Sequence, residues 1–174
     1  LLGSRPAALA FAAPVLLLWL VSPAIAWWIS RPLAPRAAKL TTGQARFLRA
    51  QARKTWGFFD IFVNAENHWL PPDNYQEHPG PVTAHRTSPT NIGMGLLSTL
   101  AAHDLAFIDT PELLDRLDAT LTTMEGLERW EGHLLNWYDT TTLAPLAPRY
   151  VSTVDSGNLA GALMTLAEGL RQLP

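Results

Sequence analysis

Residues 88–114 read SPTNIGMGLLSTLAAHDLAFIDTPELL and contain two helix starts in close succession. Ser88 followed by Pro89 puts an N-cap residue directly before a proline at the first helical position, a combination typical of helix N-termini. Apolar residues then recur at helical spacing, which predicts a helix that runs to about Phe107. The apolar positions of this helix are Ile92, Leu96, Leu100 and Phe107.

Three further helices are predicted around this one. Thr110 and Pro111 repeat the start signal and predict a helix that reaches about Met124. The other two run from a cap at Thr41 or Thr42 to about Val63, and from a cap at Asp155 or Ser156 through Asn158 to about Leu173. The part of the chain after residue 40 is therefore predicted to be all-α.

The connections between the four helices are unequal. The second and third helices are joined by a very short turn, whereas residues 64–87 and 125–155 form long loops on either side of them. Consecutive packed helices joined in this way run antiparallel, so both long loops are expected at the same end of the array. Long loops in a compact domain are uncommon unless they have a function. This end, beside the N-termini of the second and fourth helices, is the predicted functional face.

The composition excludes several classes of protein. The chain has 174 residues, a formal net charge of −2 and 48 % hydrophobic residues. Such a chain can bury a core and offers no basic face for nucleic acid. There is no cysteine, and the histidines lack the spacing of metal ligands, so neither thiol chemistry nor a metal site is predicted. The chain starts with Leu-Leu and stops directly after a helical pattern, so we expect a fragment of a longer protein.

Residues 7–29 form an uncharged apolar segment that reads AALAFAAPVLLLWLVSPAIAWWI. Its length suits a bilayer core, and Trp27 and Trp28 stand at its end, where aromatic belts form. A membrane span is the preferred interpretation. A signal peptide ending near the small residues Ala24 and Ala26 and a buried core helix are the alternatives.

Cations flank this segment unequally. Arg5 alone precedes it, and a run of basic residues follows it: Arg31, Arg36, Lys39, Arg46, Arg49, Arg53 and Lys54. The positive-inside rule then predicts that the part after the span is cytoplasmic. The predicted division is a transmembrane segment at residues 1–30, a linker at 31–40 and a helical domain at 41–174.

The two long loops concentrate aromatic and polar groups. Such a mixture suits a sugar, because aromatic faces stack on the C–H surface of a pyranose while amides and carboxylates bond its hydroxyls in a concave site. A phosphate at the helix N-termini is the alternative ligand. Trp69 and Trp137 are equally open to a structural interpretation, as hydrophobic plugs. In the second loop, residues 133–138 and 149–153 predict a small β-hairpin.

Three stretches together resemble a known family. They are NHWLPPDNYQ at 67–76, RTSPTNIGMGLLSTLAAHDLAFI at 86–108 and HLLNWYDTTTLAPLAPRYVSTVDSGNLAGAL at 133–163. The combination resembles the glucoamylase-like middle domain of cyclic β-1,2-glucan synthases, over about residues 40–174. These are large, multi-span inner-membrane proteins of bacteria, in which a glycosyltransferase domain precedes this region and a phosphorylase-like domain follows it.

The resemblance implies a fold and an activity. The fold is an (α/α)6 barrel, of which this chain would supply the first helical hairpins, incomplete. The inner faces at Leu96, Leu100 and Leu163 would then lie uncovered, and we expect the isolated chain to fold poorly and to be inactive. The implied activity is cyclisation of linear β-1,2-glucan by transglycosylation. UDP-glucose would serve the attached glycosyltransferase domain, and no cofactor is expected here.

Loop position and motif match together identify candidate glucan-binding residues. They are Asp73, Tyr75, Arg86, Asn91, Trp130, His133, Asn136, Tyr138, Asp139 and Asp155. Glycoside chemistry needs two carboxylates, and we expect the catalytic pair downstream of Pro174; Glu131 and Asp139 are the only loop carboxylates here that we would test. The expected partners are β-glucan, membrane lipid and the rest of the same polypeptide.

Two other functions remain open from the sequence. One is a glycoside hydrolase or carbohydrate-binding (α/α) barrel fragment that acts outside the cytoplasm. The other is a membrane-anchored helical adaptor without enzymatic activity, which would bind no sugar.

Overall fold

The computed structural model describes residues 6–31 and 39–173, with side chains from Phe11 onward. Internal contacts divide the chain into two units, Leu1–Lys39 and Leu40–Pro174. Most of the predicted linker, residues 32–38, lies outside the described residues. The predicted domain boundaries stay a prediction.

Among its described residues, the first unit contains one helix, α1, at Pro6–Ile29. Its segment Phe11–Ile29 has a mean hydropathy of 1.8 and is long and apolar enough to cross a membrane. Pro14 and Pro23 lie inside the helix, where membrane helices tolerate them. At the C-terminal end the Arg31 guanidinium lies 4.3 Å from the centre of the Trp27 ring.

The described part of the second unit contains four α-helices, as predicted, and a short 3-10 helix at Ala65–Asn67. The α-helices are α2 (Thr42–Phe62), α3 (Pro89–Asp104), α4 (Thr110–Gly126) and α5 (Thr153–Arg171). Thr41 caps α2 in a capping box with Gln44, and Ser88 caps α3 through the backbone N–H of Asn91.

Three helix ends differ from the prediction. Helix α3 stops at Asp104, because the chain turns there to enter α4. The side chain of Asp109, rather than that of Thr110, accepts the hydrogen bond that caps α4. Helix α5 begins almost one turn earlier than expected, because Ser152 is its N-cap. At the starts of α4 and α5, neighbouring residues in the sequence include more than one side chain that can act as an N-cap.

Helix α3 is the centre of the unit and packs against each of the other helices, most extensively against α5. The contacts show that α3 and α5 run parallel: Thr90 bonds Asp155 near their N-termini, and Leu100 meets Gly169 near their C-termini. Helices α2 and α4 lie on the other side and are joined by the Arg116–Asp60 ion pair. In the barrel segment that the resemblance implies, α3 and α5 are the inner helices and α2 and α4 the outer ones. Parallel inner helices with antiparallel outer helices are the arrangement that such a segment requires.

The inner helices approach closely at glycine. A Cβ built on Gly93 would lie 2.9 Å from the Cβ of Ala162, a separation that packed carbons do not adopt. On the other side of α3, a Cβ at Gly95 would meet the ring of Pro71 at 3.1 Å. Pro71 and Pro72 are fully buried, so this proline pair fixes the first long loop onto α3.

One expectation about exposure is wrong. Leu96 and Leu100 are buried, and Leu163 is partly buried against the core. The reason is that α5 and the two long loops close over α3. The large apolar side chains that are exposed on these two helices are Met94, Val154 and Met164 instead.

The strands are short and lie in the two loops. They are β1 (Tyr75–Gln76), β2 (Val82–Thr83), β3 (Arg86–Thr87), β4 (Arg129–Trp130), β5 (His133–Leu134) and β6 (Tyr138–Asp139). They form three antiparallel pairs, β1–β2, β4–β5 and β3–β6. The pair β4–β5 is a small hairpin in the second loop, as predicted, but its strands are not those expected. Residues 133–138 and 149–153 share a single backbone bond, from Asn136 N–H to the carbonyl of Tyr150.

Candidate functional site

The pair β3–β6 joins the two long loops beside the N-terminus of α3. Arg86 faces Asp139, and Thr87 faces Tyr138. Beneath this pair the buried amide of Asn67 accepts hydrogen bonds from Thr140 Oγ1 at 2.8 Å and from the His85 ring at 2.9 Å. The loops therefore form one connected surface, as the antiparallel argument predicted.

A first polar cluster surrounds Asp73. The Arg86 guanidinium donates to one carboxylate oxygen, from Nε at 3.1 Å and from Nη2 at 2.8 Å. The Asn91 amide donates to the other oxygen at 3.4 Å. Arg86 and Asn74 bond one oxygen of Asp73 and Asn91 bonds the other, so this carboxylate holds three side chains in place.

Trp137 links this cluster to a second one. The Arg86 guanidinium lies 4.9 Å from the centre of the Trp137 ring, within cation–π range. With the Asn136 amide oriented so that its oxygen faces the Trp137 indole and the Tyr150 hydroxyl, the orientation that satisfies its neighbours, the indole N–H of Trp137 donates to that oxygen at 2.5 Å. The ring face of Trp137 therefore contacts Arg86, while the N–H at the ring edge bonds Asn136.

The second cluster is centred on the buried amide of Asn136. Its oxygen also accepts from the Tyr150 hydroxyl at 2.8 Å, and its nitrogen donates to Asp155 at 3.1 Å. The other oxygen of Asp155 accepts from Thr90 Oγ1 at 2.6 Å, and Asn158 donates to Thr90 at 3.1 Å. The cluster thus crosses from the second loop to the first turns of both inner helices.

The surroundings of Asp155 explain why the pKa of its carboxyl is lowered. Burial opposes the charged form, but hydrogen bonds from Ser152 and Thr90 outweigh it and lower the pKa of Asp155 below its ordinary value. The carboxylate lies in the first turn of α5, where the helix dipole favours negative charge.

Trp130 and His133 lie apart from these clusters on the β4–β5 hairpin, where they face each other. Trp130 is 58 % exposed and lines a cleft of about 480 Å³ with Arg129, Arg149 and Tyr150. Arg149 forms an ion pair with Glu128 at the cleft edge. Because Tyr150 also bonds Asn136, the cleft adjoins the second cluster.

The candidate residue Tyr138 is buried in the structure. Its side chain has no exposed surface, and its hydroxyl donates to the carbonyl of Glu128 and accepts from the N–H of Leu135, both at 2.6 Å. Burial raises the pKa of Tyr138. The residue holds the second loop together and has no surface for a glucan.

Two other candidates have local structural contacts. Tyr75 packs on Phe62 with ring centres 4.8 Å apart and keeps 39 % of its surface exposed. One carboxylate oxygen of Asp139 accepts from the N–H and hydroxyl of Thr141 and from the N–H of Thr142, at 2.6–2.9 Å. Asp139 is therefore a turn residue. Glu131 is exposed in the hairpin turn with a φ of 47°.

The structure thus brings together Asp73, Arg86, Asn91, Asn136 and Asp155, whereas Trp130 and His133 lie on the neighbouring β4–β5 hairpin. Residues that the candidate set omitted also belong to the clusters, namely Asn74, Thr90, Trp137, Tyr150 and Asn158. Thr90 lies in the first turn of α3 and Asn158 in the second turn of α5. Both are near the helix N-termini already predicted to face the site, and this proximity was the signal available in the sequence. The role of each residue in glucan binding stays a prediction, as does the location of the catalytic carboxylates.

A pH-dependent contribution to stability is expected from Asp139. Hydrogen bonds from the Thr141 hydroxyl, foremost, and from the Thr141 and Thr142 amides lower the pKa of Asp139 below 3.8. A lowered folded-state pKa stabilises the fold above the unfolded pKa and loses that contribution as the pH falls through the folded value. D139N should lower the free energy of unfolding at neutral pH, and its difference from the unmodified chain should shrink toward about pH 3.

Urea unfolding over a pH series measures this difference. D115N, at an exposed position of α4, is the control and should change little. A D139N deficit that stays constant over the pH series would mean that the charge of Asp139 contributes nothing to stability.

The arrangement of α2–α5 defines a fold class that solved structures share. Two solved structures each match 80 % of the chain with a TM-score of 0.58: a candidate glucoamylase from Bacteroides fragilis at 19 % identity and a β-1,2-glucanase from Parabacteroides distasonis at 18 %. The chain covers 37 % and 20 % of those proteins. At this identity the match shows the fold alone, and it confirms the predicted glucoamylase-like (α/α)6 class.

A sequence comparison with a curated protein identifies the family more narrowly than the fold does. The chain is 46 % identical over 160 residues, 91 % of its length, to the cyclic β-(1,2)-glucan synthase NdvB of Rhizobium meliloti. It is therefore homologous to a segment of a cyclic β-1,2-glucan synthase, which confirms the predicted resemblance. The chain spans only 6 % of that relative. No protein-family model matches the chain.

Proposed function

We propose that this chain is a segment of a membrane-bound cyclic β-1,2-glucan synthase and contributes glucan-binding loops to its cyclising domain. The observation that carries the proposal is the convergence of both long loops on the polar clusters of Asp73 and Asn136. It is supported by the identity to the Rhizobium meliloti synthase. The reaction of the domain would be transglycosylation of linear β-1,2-glucan.

The site has groups of two kinds that recognise a sugar. The exposed ring of Trp130 offers an apolar face on which a pyranose can stack, and Tyr150, 49 % exposed, lies in the same cleft. Arg86, whose side chain is 52 % exposed, offers N–H donors that Asp73 holds in place. Such fixed donors lose little conformational freedom when a hydroxyl binds.

The remaining parts of the proposal concern the whole protein. Helix α1 would span the bacterial inner membrane, and the cations that follow it favour a cytoplasmic second unit. An attached glycosyltransferase domain uses UDP-glucose, and the catalytic carboxylates come from the rest of the same polypeptide. The carboxylates in the clusters, Asp73 and Asp155, position the donors around them.

A chimeric enzyme tests the proposed function. The aligned segment of the Rhizobium meliloti synthase is replaced by this chain, and membranes are supplied with UDP-glucose. We expect cyclic β-1,2-glucan, detected by mass spectrometry as a product lacking the mass of one water relative to the linear chain. The matched control carries N136A in the inserted segment, which removes the centre of the second cluster.

Each other outcome decides against the proposal. Products that are only linear and shortened would favour the extracellular glycoside hydrolase. A fully active chimera with N136A would show that the second cluster has no part in the reaction. An inserted segment that folds and anchors but yields no glucan product would favour the adaptor.

A further inference from the structure

We propose that the first two turns of α2 lie on an anionic lipid surface, held by an apolar groove and the cations beside it. The groove is lined by Leu40, Gly43, Gln44, Phe47 and Leu48 and has a volume of about 370 Å³. We call these five residues the α2 groove. The inference rests on the proposed insertion of α1 in a membrane.

The α2 groove is an uncovered continuation of the core-facing side of α2. Further along the helix, Ala52, Trp56 and Phe59 face α3. This packing ends at Phe107, over which the guanidinium groups of Arg49 and Arg53 lie at 5.0 and 5.2 Å. The helix continues N-terminally past this point for about two turns. There Leu40, Phe47 and Leu48 are 50 %, 62 % and 51 % exposed.

The positive charge beside the groove favours binding to an anionic surface. The first acidic residue of the chain is Asp60, whereas the sequence from Arg31 to Lys54 holds seven cations. Arg46 and Arg49 are exposed on the described part of α2. An amphipathic helix with apolar residues on one side and cations beside them binds the interface of anionic bilayers.

The short connection between α1 and α2 limits how far α2 can lie from a membrane that holds α1. Ten residues, Ser30 to Lys39, separate the end of α1 from Leu40. A fully extended chain covers about 3.5 Å per residue, so Leu40 lies within roughly 40 Å of the end of α1. A bilayer that holds α1 is therefore within reach of the α2 groove, and a lipid surface is the occupant that the apolar residues and the cations together favour.

Spin-label accessibility tests the proposal on the whole 174-residue chain. The chain has no cysteine, so Q44C, T122C and L18C each give one labelling site. The labelled chains are reconstituted into phosphatidylcholine vesicles that contain phosphatidylglycerol. Accessibility to oxygen, which enters lipid, is compared with accessibility to a water-soluble nickel complex. Gln44 lines the groove, Thr122 is exposed on α4 near the loop end, and Leu18 lies in the middle of α1.

We expect the oxygen-to-nickel ratio of the label at position 44 to be several-fold higher than that of the label at position 122. The additional substitution R46E, or vesicles of phosphatidylcholine alone, should lower the ratio at position 44. Added salt should do the same, because it screens the charges.

Two results at position 44 would overturn the proposal. A nickel-accessible label would mean that the groove faces water. A label shielded from both reagents would mean that protein, such as a second copy of the chain, covers the groove. The label at position 18 reports separately whether α1 enters the bilayer, so failure of the proposed anchoring is distinguishable from failure of the docking.

Discussion

G93V is expected to lower the free energy of unfolding of the helical unit by about 3 kcal/mol, the upper end of the usual cost of overpacking, because the closed contact forces the backbone to move. A Cβ at this position already falls 2.9 Å from the Cβ of Ala162, and Leu159 lies behind it. The nearest atoms are a Cβ and a backbone Cα rather than the ends of flexible side chains, so α3 and α5 must separate. Such a loss should lower the melting temperature by roughly 10 °C for a unit of this size.

The matched control is G161V. Gly161 also lies inside α5, but a Cβ built there has no neighbour within 4 Å. Valine has a slightly better helix propensity than glycine, by about a few tenths of a kcal/mol, so this variant should be neutral or slightly stabilised. Thermal unfolding in detergent, followed by near-ultraviolet circular dichroism, compares the two variants. Equal melting temperatures would contradict close packing of the inner helices.

R86A is expected to weaken the binding of linear β-1,2-glucan by about 10- to 100-fold. This factor corresponds to the free energy of one hydrogen bond from a charged donor. The variant removes the donors that Asp73 holds and the cation above Trp137. Its cost in stability should be small, because exposed ion pairs contribute about 0–1 kcal/mol. Isothermal titration of the chain in detergent with a linear oligosaccharide measures the affinity.

R86K is the control for charge alone. Lysine keeps the positive charge but loses the planar group that donates twice to Asp73 and stacks on Trp137. We expect an affinity between those of R86A and the unmodified chain. If R86A binds glucan as tightly as the unmodified chain, Arg86 does not contact the sugar, and the cluster around Asp73 serves only to join the loops.

Local signals in the sequence were sufficient to predict the helices and the end of the helical array at which the two long loops meet. Ser88-Pro89 and the cap at Thr41 each have a direct physical basis, and the short turn before α4 fixes the antiparallel arrangement. The fully buried Pro71-Pro72 pair also agrees with a stiff, anchored first loop. These features depend mainly on residues close in sequence, which is why a single sequence reveals them.

The pairing of β3 with β6 could not be predicted in this way. Each strand has two residues, too few to show an alternating pattern, and the two are separated by all of α3 and α4. The buried state of Tyr138 and the inclusion of Trp137 follow from this pairing. For the same reason the burial of Leu96 and Leu100 was missed, since it depends on how far the loops and α5 cover α3.

The central claim is that β-1,2-glucan binds where the two long loops meet, and the indole N–H signals of the seven tryptophans test it most directly. The chain, labelled with nitrogen-15 in detergent, is titrated with a linear β-1,2-gluco-oligosaccharide. We predict that the signals of Trp130 and Trp137 shift together and saturate, while those of Trp19 in α1 and of the buried Trp56 stay in place. Signals at Trp130 and Trp137 that do not move at saturating glucan, or shifts confined to other tryptophans, would contradict glucan binding at this site.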